Sequence, residues 1–308
     1  MILLLPNAIP FPDISPDVFV FEIAGREFAL KWYALAYIAG FLIAMWFINY
    51  LRRQADLWAD NDPGFSSKDV EDLLTWMIIG VILGGRFGFA FFYGMDTWRQ
   101  DFWWVFRIWE GGMSFHGGFI GVIVAGAWFC ARRGIDPWKI GDAIAISATF
   151  GLGLGRVANF INGELWGRPT EMPWGVIFPS PAAQDCFPLL VTECARHPSQ
   201  LYEAVLEGPV LWVFLTYLIF RRFALKKPGQ VIAWFFIGYG VARTFVEGYR
   251  QGDLRDVTFT NPAGHYLRFG DQLDSIGLTR GQLLSLPMIV IGIVLLIYIH
   301  RLVRPSEV

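Results

Sequence analysis

Seven long apolar segments constrain the fold of this chain more than any other feature of its sequence. A helix needs about 20 mostly apolar residues to cross the hydrocarbon core of a bilayer. Hydrophobic residues make up 55% of the 308 positions and charged residues only 17%, whereas about 25% of a soluble domain is charged. The pattern predicts an all-α membrane protein, a bundle of seven transmembrane helices near residues 32–50, 70–93, 114–131, 141–160, 201–220, 230–249 and 282–300.

Lysines and arginines indicate how these helices are oriented, because short cytoplasmic loops carry an excess of both. Twelve of the 25 lie in the short stretches 51–69, 131–140, 221–229 and 301–308. The other side carries ten, spread over much longer stretches. We therefore expect one polytopic membrane domain over residues 1–308, with the N-terminus outside and the C-terminus inside. Its outer parts would be an N-terminal arm (1–31), a small irregular head (161–200) and a further segment (250–281).

Composition excludes several other classes of protein. A formal net charge of −2 provides no basic surface for a nucleic acid. Three cysteines are too few for a disulfide scaffold or a cysteine metal site. Two of them, Cys186 and Cys194, lie on the predicted outer side, where a disulfide and two free thiols are both compatible with the sequence. Small residues spaced by four indicate closely packed helices, and such spacings occur at Gly80, Gly84 and Gly88 and at Gly151 and Gly155.

Three arginines, Arg86, Arg156 and Arg243, fall inside the apolar segments. A charged side chain at mid-membrane costs roughly 2.5–3.5 kcal/mol on insertion scales, so such residues face the bundle interior or a wet cavity. An internal salt bridge would satisfy each of them. Arg156 and Arg243 both lie in the predicted outer half of the membrane, and a guanidinium binds phosphate or carboxylate with a planar fork of donors. The two residues thus predict an anion site.

Polar neighbours accompany both of these arginines. Asn159 shares a helical face with Arg156, and Asn162 and Glu164 follow at the end of the segment. One turn on either side of Arg243 lie Tyr239 and Glu247. Glu247 could pair with Arg243 or orient it toward an anionic ligand.

His116 opens the third apolar segment, followed by Gly117 and Gly118. A single histidine at a helix end is usually only a polar terminus. Here, however, His116 is predicted at the same outer depth as Arg156 and Arg243. The glycines would let a substrate or a neighbouring backbone approach closely, and histidine is the side chain that changes charge near neutral pH.

A second histidine, His197, precedes the fifth apolar segment on the predicted outer side. It is followed by Pro198 and Ser199, with Glu203 four residues further on. The order is typical of a helix start, so we expect these residues to cap that helix.

Four blocks of this sequence resemble the prolipoprotein diacylglyceryl transferase family, and the resemblance covers nearly the whole chain. The longest block runs over residues 155–168, from Gly155-Arg156 to Gly167-Arg168. The others are Gly112-Met113-Ser114-Phe115-His116-Gly117-Gly118, Arg196-His197-Pro198-Ser199-Gln200-Leu201-Tyr202-Glu203, and Gly238-Tyr239-Gly240 with Arg243 and Glu247.

This resemblance implies a seven-helix enzyme of the bacterial inner membrane whose active site faces the periplasm. The donor it implies is phosphatidylglycerol, and the acceptor is the lipobox cysteine at the signal peptide of a prolipoprotein. A diacylglyceryl thioether and glycerol phosphate would be the products. We expect no cofactor, no metal and no nucleic acid, and we expect the chain to act as a monomer in the bilayer.

The family's essential residues match His116, Arg156, Asn159, Gly167 and Arg243. The supporting positions match Tyr33, Asn162, Glu164, Tyr239 and Glu247, with Gly117 beside the histidine. We assign catalysis to His116, Arg156 and Arg243 and substrate binding to the remaining residues of both sets.

The chemistry is alkylation of sulfur, in which a thiol attacks a glycerol carbon while a phosphate ester leaves. A free cysteine has a pKa near 8.5, so little of it is thiolate at neutral pH. His116 is the predicted base, and the headgroup phosphate is the alternative. Arg156 and Arg243 would stabilise the charge that develops on the leaving phosphate.

Two other functions compete with this interpretation. A transporter or flippase for an anionic lipid or solute could use the same two arginines as its anion site. Repeated halves are typical of such transporters, and no internal repeat is evident in this sequence. An intramembrane protease would need a Ser–His pair or paired aspartates at membrane depth, and the apolar segments show neither.

Overall fold

The computed structural model describes residues 8–23, 25–186, 193–252, 256–258, 261, 264–270 and 276–302. The chain is mostly helical. Its helices are α1 (Trp32–Arg52), α2 (Ser67–Phe92), α3 (Met95–Gln100), α4 (Phe115–Arg133), α5 (Pro137–Ile161), α6 (Ser199–Val205), α7 (Leu211–Arg222), α8 (Gln230–Glu247) and α9 (Arg280–Leu302). A π-helical segment, Leu206–Val210, joins α6 to α7.

Short strands form three two-stranded sheets among the described residues. β1 (Ile9–Pro10) pairs in parallel with β4 (Val176–Ile177), β2 (Asp17–Ile23) forms an antiparallel hairpin with β3 (Arg26–Lys31), and β5 (Leu267–Phe269) pairs with β6 (Ile276–Leu278).

Five helical stretches are long and apolar enough to cross a membrane. They are Trp32–Arg52, Ser67–Phe92, Pro137–Ile161, Ser199–Arg222 and Arg280–Arg301. Helices also occupy the predicted third and sixth positions, but α4 ends in two arginines and α8 carries Arg243 and Glu247, which makes both less apolar. The prediction of a helical multi-pass membrane protein is confirmed, and the number seven stays a prediction.

The chain divides into two compact units, one of residues 1–44 with 144–308 and one of residues 45–143. In the second unit, α2 begins with a capping box between Ser66 and Asp69, and α4 begins with Ser114 accepting a hydrogen bond from the backbone of Gly117. Both caps satisfy amide groups that a helix start leaves without partners.

Glycines bring α2 and α4 into backbone contact. A Cβ on Gly88 would lie only 2.8 Å from the Cα of Gly117, and one on Gly84 would lie 2.9 Å from the Cα of Gly121. Real Cβ atoms do not approach so closely, so only glycine fits this contact. The packing interpretation of Gly80, Gly84 and Gly88 is thereby confirmed.

Arg86 of α2 is enclosed by backbone carbonyls rather than by carboxylates. Its guanidinium donates to the carbonyls of Trp104 and Val105 at 2.8 Å each and of Arg107 at 3.0 Å, and it also bonds the carbonyl of Gly111. These acceptors lie in the irregular segment that follows α3. Arg86 therefore has a structural role, in which it orders the segment between α3 and α4.

In the first unit, the described residues of the head have a small core of their own. Residues of the N-terminal arm and of the end of α5 pack on that core. Its members are Val176, Phe178 and Ala183, with Phe11, Phe160 and Trp166 packed against them.

A disulfide between Cys186 and Cys194 closes one side of the head, which decides between the two alternatives that the sequence leaves open. Beside it, the buried Arg196 donates to the carbonyl of Gly167 at 3.1 Å and to the side-chain oxygen of Gln251 at 2.8 Å. Burial lowers the pKa of Arg196 to about 10, so the side chain still carries its charge at neutral pH.

Candidate active site

Glu203 is the centre of a charged cluster in the first unit. It lies on α6 and is completely buried. One oxygen, Oε1, is 2.5 Å from Nη1 of Arg243 and 2.9 Å from Nη1 of Arg250, while Oε2 is 2.8 Å from Nε of Arg156. A single carboxylate thus connects arginines from α5, α8 and the segment after α8.

Two more carboxylates balance the charge of these arginines. Glu247, one turn after Arg243 on α8, is 2.9 Å from Nη2 of Arg243 and accepts a hydrogen bond from the Thr279 hydroxyl at 3.1 Å. A Cβ on Gly281 would collide with its carboxylate. Glu247 therefore pairs with Arg243, one of the two roles that its spacing allows.

Glu207 is the third carboxylate and lies within the π-helical segment, completely buried. Its Oε2 is 3.5 Å from Nε of Arg156. Its other oxygen is buried and has no hydrogen-bond partner among the described residues. π-Helical turns inside α-helices are frequently found at functional sites, and here the turn carries a buried acid into the cluster.

Arg156 differs from its neighbours in how its guanidinium is used. Within the described part of the chain, both carboxylates approach Arg156 most closely at Nε, and Nε also donates the hydrogen bond to Glu207. Its side chain is 20% exposed. Arg243, by contrast, uses both terminal nitrogens to bind Glu203 and Glu247. Arg156 is therefore the arginine that can bind an anion bidentately.

Asn159, Asn162 and Glu164 form a hydrogen-bonded group at the end of α5. Both amides donate to Oε1 of Glu164, at 2.8 and 3.2 Å. The backbone carbonyl of Glu164 accepts from Gln200 at 2.6 Å. These contacts hold the residues of the predicted motif together, although their side chains bond one another rather than Arg156.

Tyr33 and Tyr239 also lie in the first unit. The hydroxyl of Tyr33 is 2.9 Å from that of Tyr37 on α1, and Tyr37 is within electrostatic range of Arg156 and Glu164. Tyr239 stacks on Phe235 with ring centroids 5.9 Å apart and is within electrostatic range of Glu207, Arg156 and Arg243.

Gly167 occupies a position that no larger residue could take. Its amide donates to the carbonyl of His197 at 2.8 Å. A Cβ there would lie 2.5 Å from the carbonyl oxygen of Tyr249 and 2.6 Å from that of His197. Gly167 thus fixes the backbone of the head against the chain that leads into α6 and the chain that leaves α8.

The capping interpretation of the residues around His197 is only partly correct. A helix does begin at Ser199, but the N-cap residue is Pro198 and no side chain caps the helix. The Ser199 hydroxyl donates to the carbonyl of Leu165 at 3.2 Å, and Glu203 belongs to the arginine cluster. Nδ1 of His197 lies 3.1 Å from the hydroxyl of Tyr202. Burial, and then the nearby charge of Arg168, lower the pKa of His197.

His116 and Gly117 belong to the second unit. His116 is the second residue of α4 and its side chain is exposed, whereas Gly117 is buried against α2. The structure therefore brings Arg156 and Arg243 together with Glu247, and it groups Asn159 with Asn162 and Glu164. The role of His116 as a base and of Gly117 in substrate binding stay predictions.

The sequence analysis did not predict Glu207 or Arg250 in the site, and it placed Glu203 only at a helix start. A signal for two of them was present, since Glu203 and Glu207 are spaced by four and lie in an apolar segment predicted at 201–220. Buried acids in such a segment mark functional sites by the same argument as buried arginines. Arg250 was counted only as a loop cation.

The helices of membrane-spanning length define a multi-pass membrane protein, and its first unit carries a cluster of arginines and buried carboxylates. The chain belongs to the prolipoprotein diacylglyceryl transferase family, whose family model matches residues 19–298. A relative from Roseobacter denitrificans is 50% identical over 285 residues, which cover 92% of this chain and 95% of the relative. One from Cereibacter sphaeroides is 51% identical over 293 residues, covering 95% and 98%. Both relatives are named phosphatidylglycerol–prolipoprotein diacylglyceryl transferase.

Proposed function

We propose that this chain transfers the diacylglyceryl group of phosphatidylglycerol to the lipobox cysteine of prolipoproteins, the first step of bacterial lipoprotein maturation. Family membership over residues 19–298 and relatives at about 50% identity with that name support the reaction. The main structural support for the proposed site is the pair of terminal nitrogens, Nη1 and Nη2, of Arg156, which we call its fork. The Arg156 side chain is partly exposed, and Glu203 and Glu207 hold the same guanidinium by its Nε atom.

The proposal includes an arrangement in the membrane. All seven predicted segments cross the bilayer, with the N-terminus and the head in the periplasm and the C-terminus in the cytoplasm. The chain acts as a single polytopic domain and as a monomer in the bacterial inner membrane. The distribution of lysines and arginines supports this orientation.

The phosphate of the lipid headgroup binds to Arg156 in this account. Buried arginines without counter-ions would be expensive, and the three carboxylates of the cluster match the charges of Arg156, Arg243 and Arg250. The lipid phosphate then binds the Arg156 fork through charge-assisted hydrogen bonds. Arg243, fixed at both nitrogens by Glu203 and Glu247, supplies a positive charge that does not need to reorganise during the reaction.

In the reaction itself, the cysteine thiol loses its proton to His116 and the thiolate attacks the terminal glycerol carbon of the diacylglyceryl group. A carbon–sulfur bond forms as the carbon–oxygen bond to the phosphate breaks. The electron pair of that bond leaves with glycerol phosphate, whose growing charge Arg156 and Arg243 stabilise. Asn159, Asn162, Glu164, Tyr33 and Tyr239 would bind the glycerol part of the headgroup, and Gly167 would hold the head in place over it.

Mass spectrometry tests this function directly. The purified chain is incubated with phosphatidylglycerol and a lipobox peptide, and with a peptide in which serine replaces the cysteine. We expect the cysteine peptide alone to gain the mass of one diacylglyceryl group, with glycerol phosphate released in equal amount. Translocation of labelled phosphatidylglycerol across a vesicle membrane without any change in the peptide would support the transporter alternative instead.

A further inference from the structure

Three positions of α8 that are spaced by seven residues face α9, and Glu247 is the last of them. A Cβ on Gly240 would lie 3.2 Å from the carbonyl oxygen of Ser285. One turn pair earlier, Ala233 places its carbonyl oxygen where a Cβ on Gly292 would approach to 2.6 Å. Residues spaced by seven share one helical face. The face that packs the two antiparallel helices together therefore reaches the start of α9 at Glu247.

Glu247 meets the first turn of α9 directly. Its Oε1 accepts a hydrogen bond from the Thr279 hydroxyl at 3.1 Å. The backbone of Gly281 lies so close to the carboxylate that a Cβ there would overlap it. Glu247 and Thr279 are both buried. One carboxylate oxygen is thus bound by α9, while the other, Oε2, is 2.9 Å from Nη2 of Arg243.

Thr279 is itself fixed by the cap of α9. Its amide donates to Oε1 of Gln282 at 3.1 Å, and its Oγ1 accepts from the amide of Gln282 at 3.2 Å. These reciprocal bonds form a capping box. The first amides of a helix have no partner within it, and their dipoles favour a negative charge nearby. The start of α9 therefore suits the Glu247 carboxylate in both geometry and charge.

A glutamate on this face of α8 is not required for packing, since Ala233 and Gly240 occupy the two equivalent positions. Burying a carboxylate is costly unless it is paired and hydrogen-bonded. Glu247 meets that condition by binding α9 through one oxygen and Arg243 through the other. The carboxylate therefore ties the position of Arg243 to the backbone of a helix that carries none of the site residues predicted from the sequence.

We propose that Thr279 and Gly281 are positioning residues of the active site, an assignment that rests on the proposed function. They hold the Glu247 carboxylate, and Glu247 in turn fixes Nη2 of Arg243. In the proposed reaction, Arg243 stabilises the charge that develops on the leaving phosphate, whereas Arg156 binds the phosphate of the lipid. Displacing Glu247 should therefore lower kcat and leave KM for phosphatidylglycerol nearly unchanged.

Gly281→Ala tests this assignment most directly. The added methyl group would force the carboxylate back by about 1 Å to reach ordinary contact distance. A misplacement of that size can cost ~10²-fold in rate, and we expect kcat with the lipobox peptide to fall by that order.

Gly292→Ala is the matched control, because it adds the same methyl group between the same two helices, against Ala233 instead of Glu247. It should lower the melting temperature in detergent and leave kcat per folded molecule unchanged. A loss of kcat as large as that of Gly281→Ala would overturn the assignment, because any disturbance of this helix pair would then have the same effect.

A substitution at Glu247 separates positioning from packing. Glu247→Asp withdraws the carboxylate by one methylene group and so makes room for the alanine methyl. The double variant, Gly281→Ala with Glu247→Asp, should be no slower than Glu247→Asp alone. Losses that simply multiplied would show that the two residues act independently, and the assignment would be wrong.

Thr279→Val and Thr279→Ser keep the test decisive even where Gly281→Ala does not fold. Valine removes the hydroxyl that binds Oε1 of Glu247, and losing a hydrogen bond to a charged group should lower kcat per folded molecule by about tenfold. Serine keeps the hydroxyl and should recover most of that loss. A wild-type kcat in Thr279→Val would overturn the assignment. Failure of the wild type to modify the peptide would instead overturn the proposed function.

Discussion

Arg86 and Arg156 are both arginines within apolar helices, yet their surroundings give them different capacities. Arg86 is buried and donates through all three of its nitrogens to backbone carbonyls of its own unit. Arg156 approaches two glutamates through Nε, and in the proposed function its terminal nitrogens bind the lipid phosphate. The comparison teaches that burial alone does not mark an arginine as functional; what matters is which of its donors are already satisfied.

Substituting lysine for Arg156 should have the largest effect of the changes considered. Lysine keeps the charge near Glu203 and Glu207 but has no planar fork for a phosphate. We expect transfer to the lipobox peptide to fall by ~10²–10³, as when one transition-state donor is removed, while the melting temperature in detergent changes little. Equal loss of stability and activity would mean that Arg156, like Arg86, is structural.

Glu203→Gln tests whether the carboxylate that contacts Arg156 is needed to position it. The amide has the same shape but cannot balance Arg156, Arg243 and Arg250, so their guanidinium groups should shift. A misplacement of about 1 Å can cost ~10²-fold in rate, and we expect a loss of that order in kcat.

Glu207→Gln is the matched control for that substitution, because Glu207 contacts the cluster only through Arg156, at 3.5 Å. Its loss of kcat should be clearly smaller. If both variants turned over equally well, Glu203 would not be the residue that organises the cluster.

Arg86→Lys should affect stability and spare chemistry. One ammonium group cannot replace the fork that bonds the carbonyls of Trp104, Val105 and Arg107. Leaving these groups unsatisfied should lower the free energy of unfolding by about 3 kcal/mol, visible as a lower melting temperature. The folded fraction should keep the wild-type rate per molecule, and a specific loss of rate would show that Arg86 also serves the site.

Removing the disulfide with Cys186→Ser and Cys194→Ser should have a more moderate effect. The two residues are eight positions apart, and closing so short a loop stabilises a protein by about 2 kcal/mol. We expect a lower melting temperature that matches that of the wild type under reducing conditions. A double variant as stable as the oxidised wild type would show that the bond does not hold the head together.

Titration of His197 should have the smallest effect on stability of the changes considered. Its pKa is lowered in the folded protein, chiefly by burial, so the unfolded chain takes up a proton at a higher pH than the folded one. Stability should therefore decrease as the pH falls below about 6.5, and His197→Gln should remove that part of the dependence. A wild-type melting temperature that stayed constant between pH 7 and pH 5.5 would contradict it.

Much of the fold could be predicted from the sequence, because long apolar segments translate directly into helices. Helices begin and end within a few residues of the predicted segments, as at α5 and α8. Strands β1 and β4 could not be predicted in the same way, since they are two residues each and such a length carries no periodicity. The head, expected as irregular, is joined to the arm by that pairing.

Only some residues of the candidate site could be predicted from the sequence. Arg156, Arg243 and Glu247 stood out because charges in apolar segments are conspicuous, and helical spacing placed Glu247 beside Arg243. Glu203 and Glu207 come from a different helix, and no local pattern says that they meet Arg156. That contact depends on the packing of α5, α6 and α8 and on the π-helical turn, which are properties of the assembled unit.

The most direct test of the central claim is the effect of phosphatidylglycerol on thermal stability in phosphatidylcholine nanodiscs. A ligand that binds only the folded state raises the melting temperature, and the rise increases with the ratio of its concentration to its dissociation constant. We predict that added phosphatidylglycerol raises the melting temperatures of the wild type and of Arg86→Lys by the same amount and leaves that of Arg156→Lys unchanged. An equal shift in Arg156→Lys would contradict the assignment of Arg156 as the residue that binds the lipid phosphate.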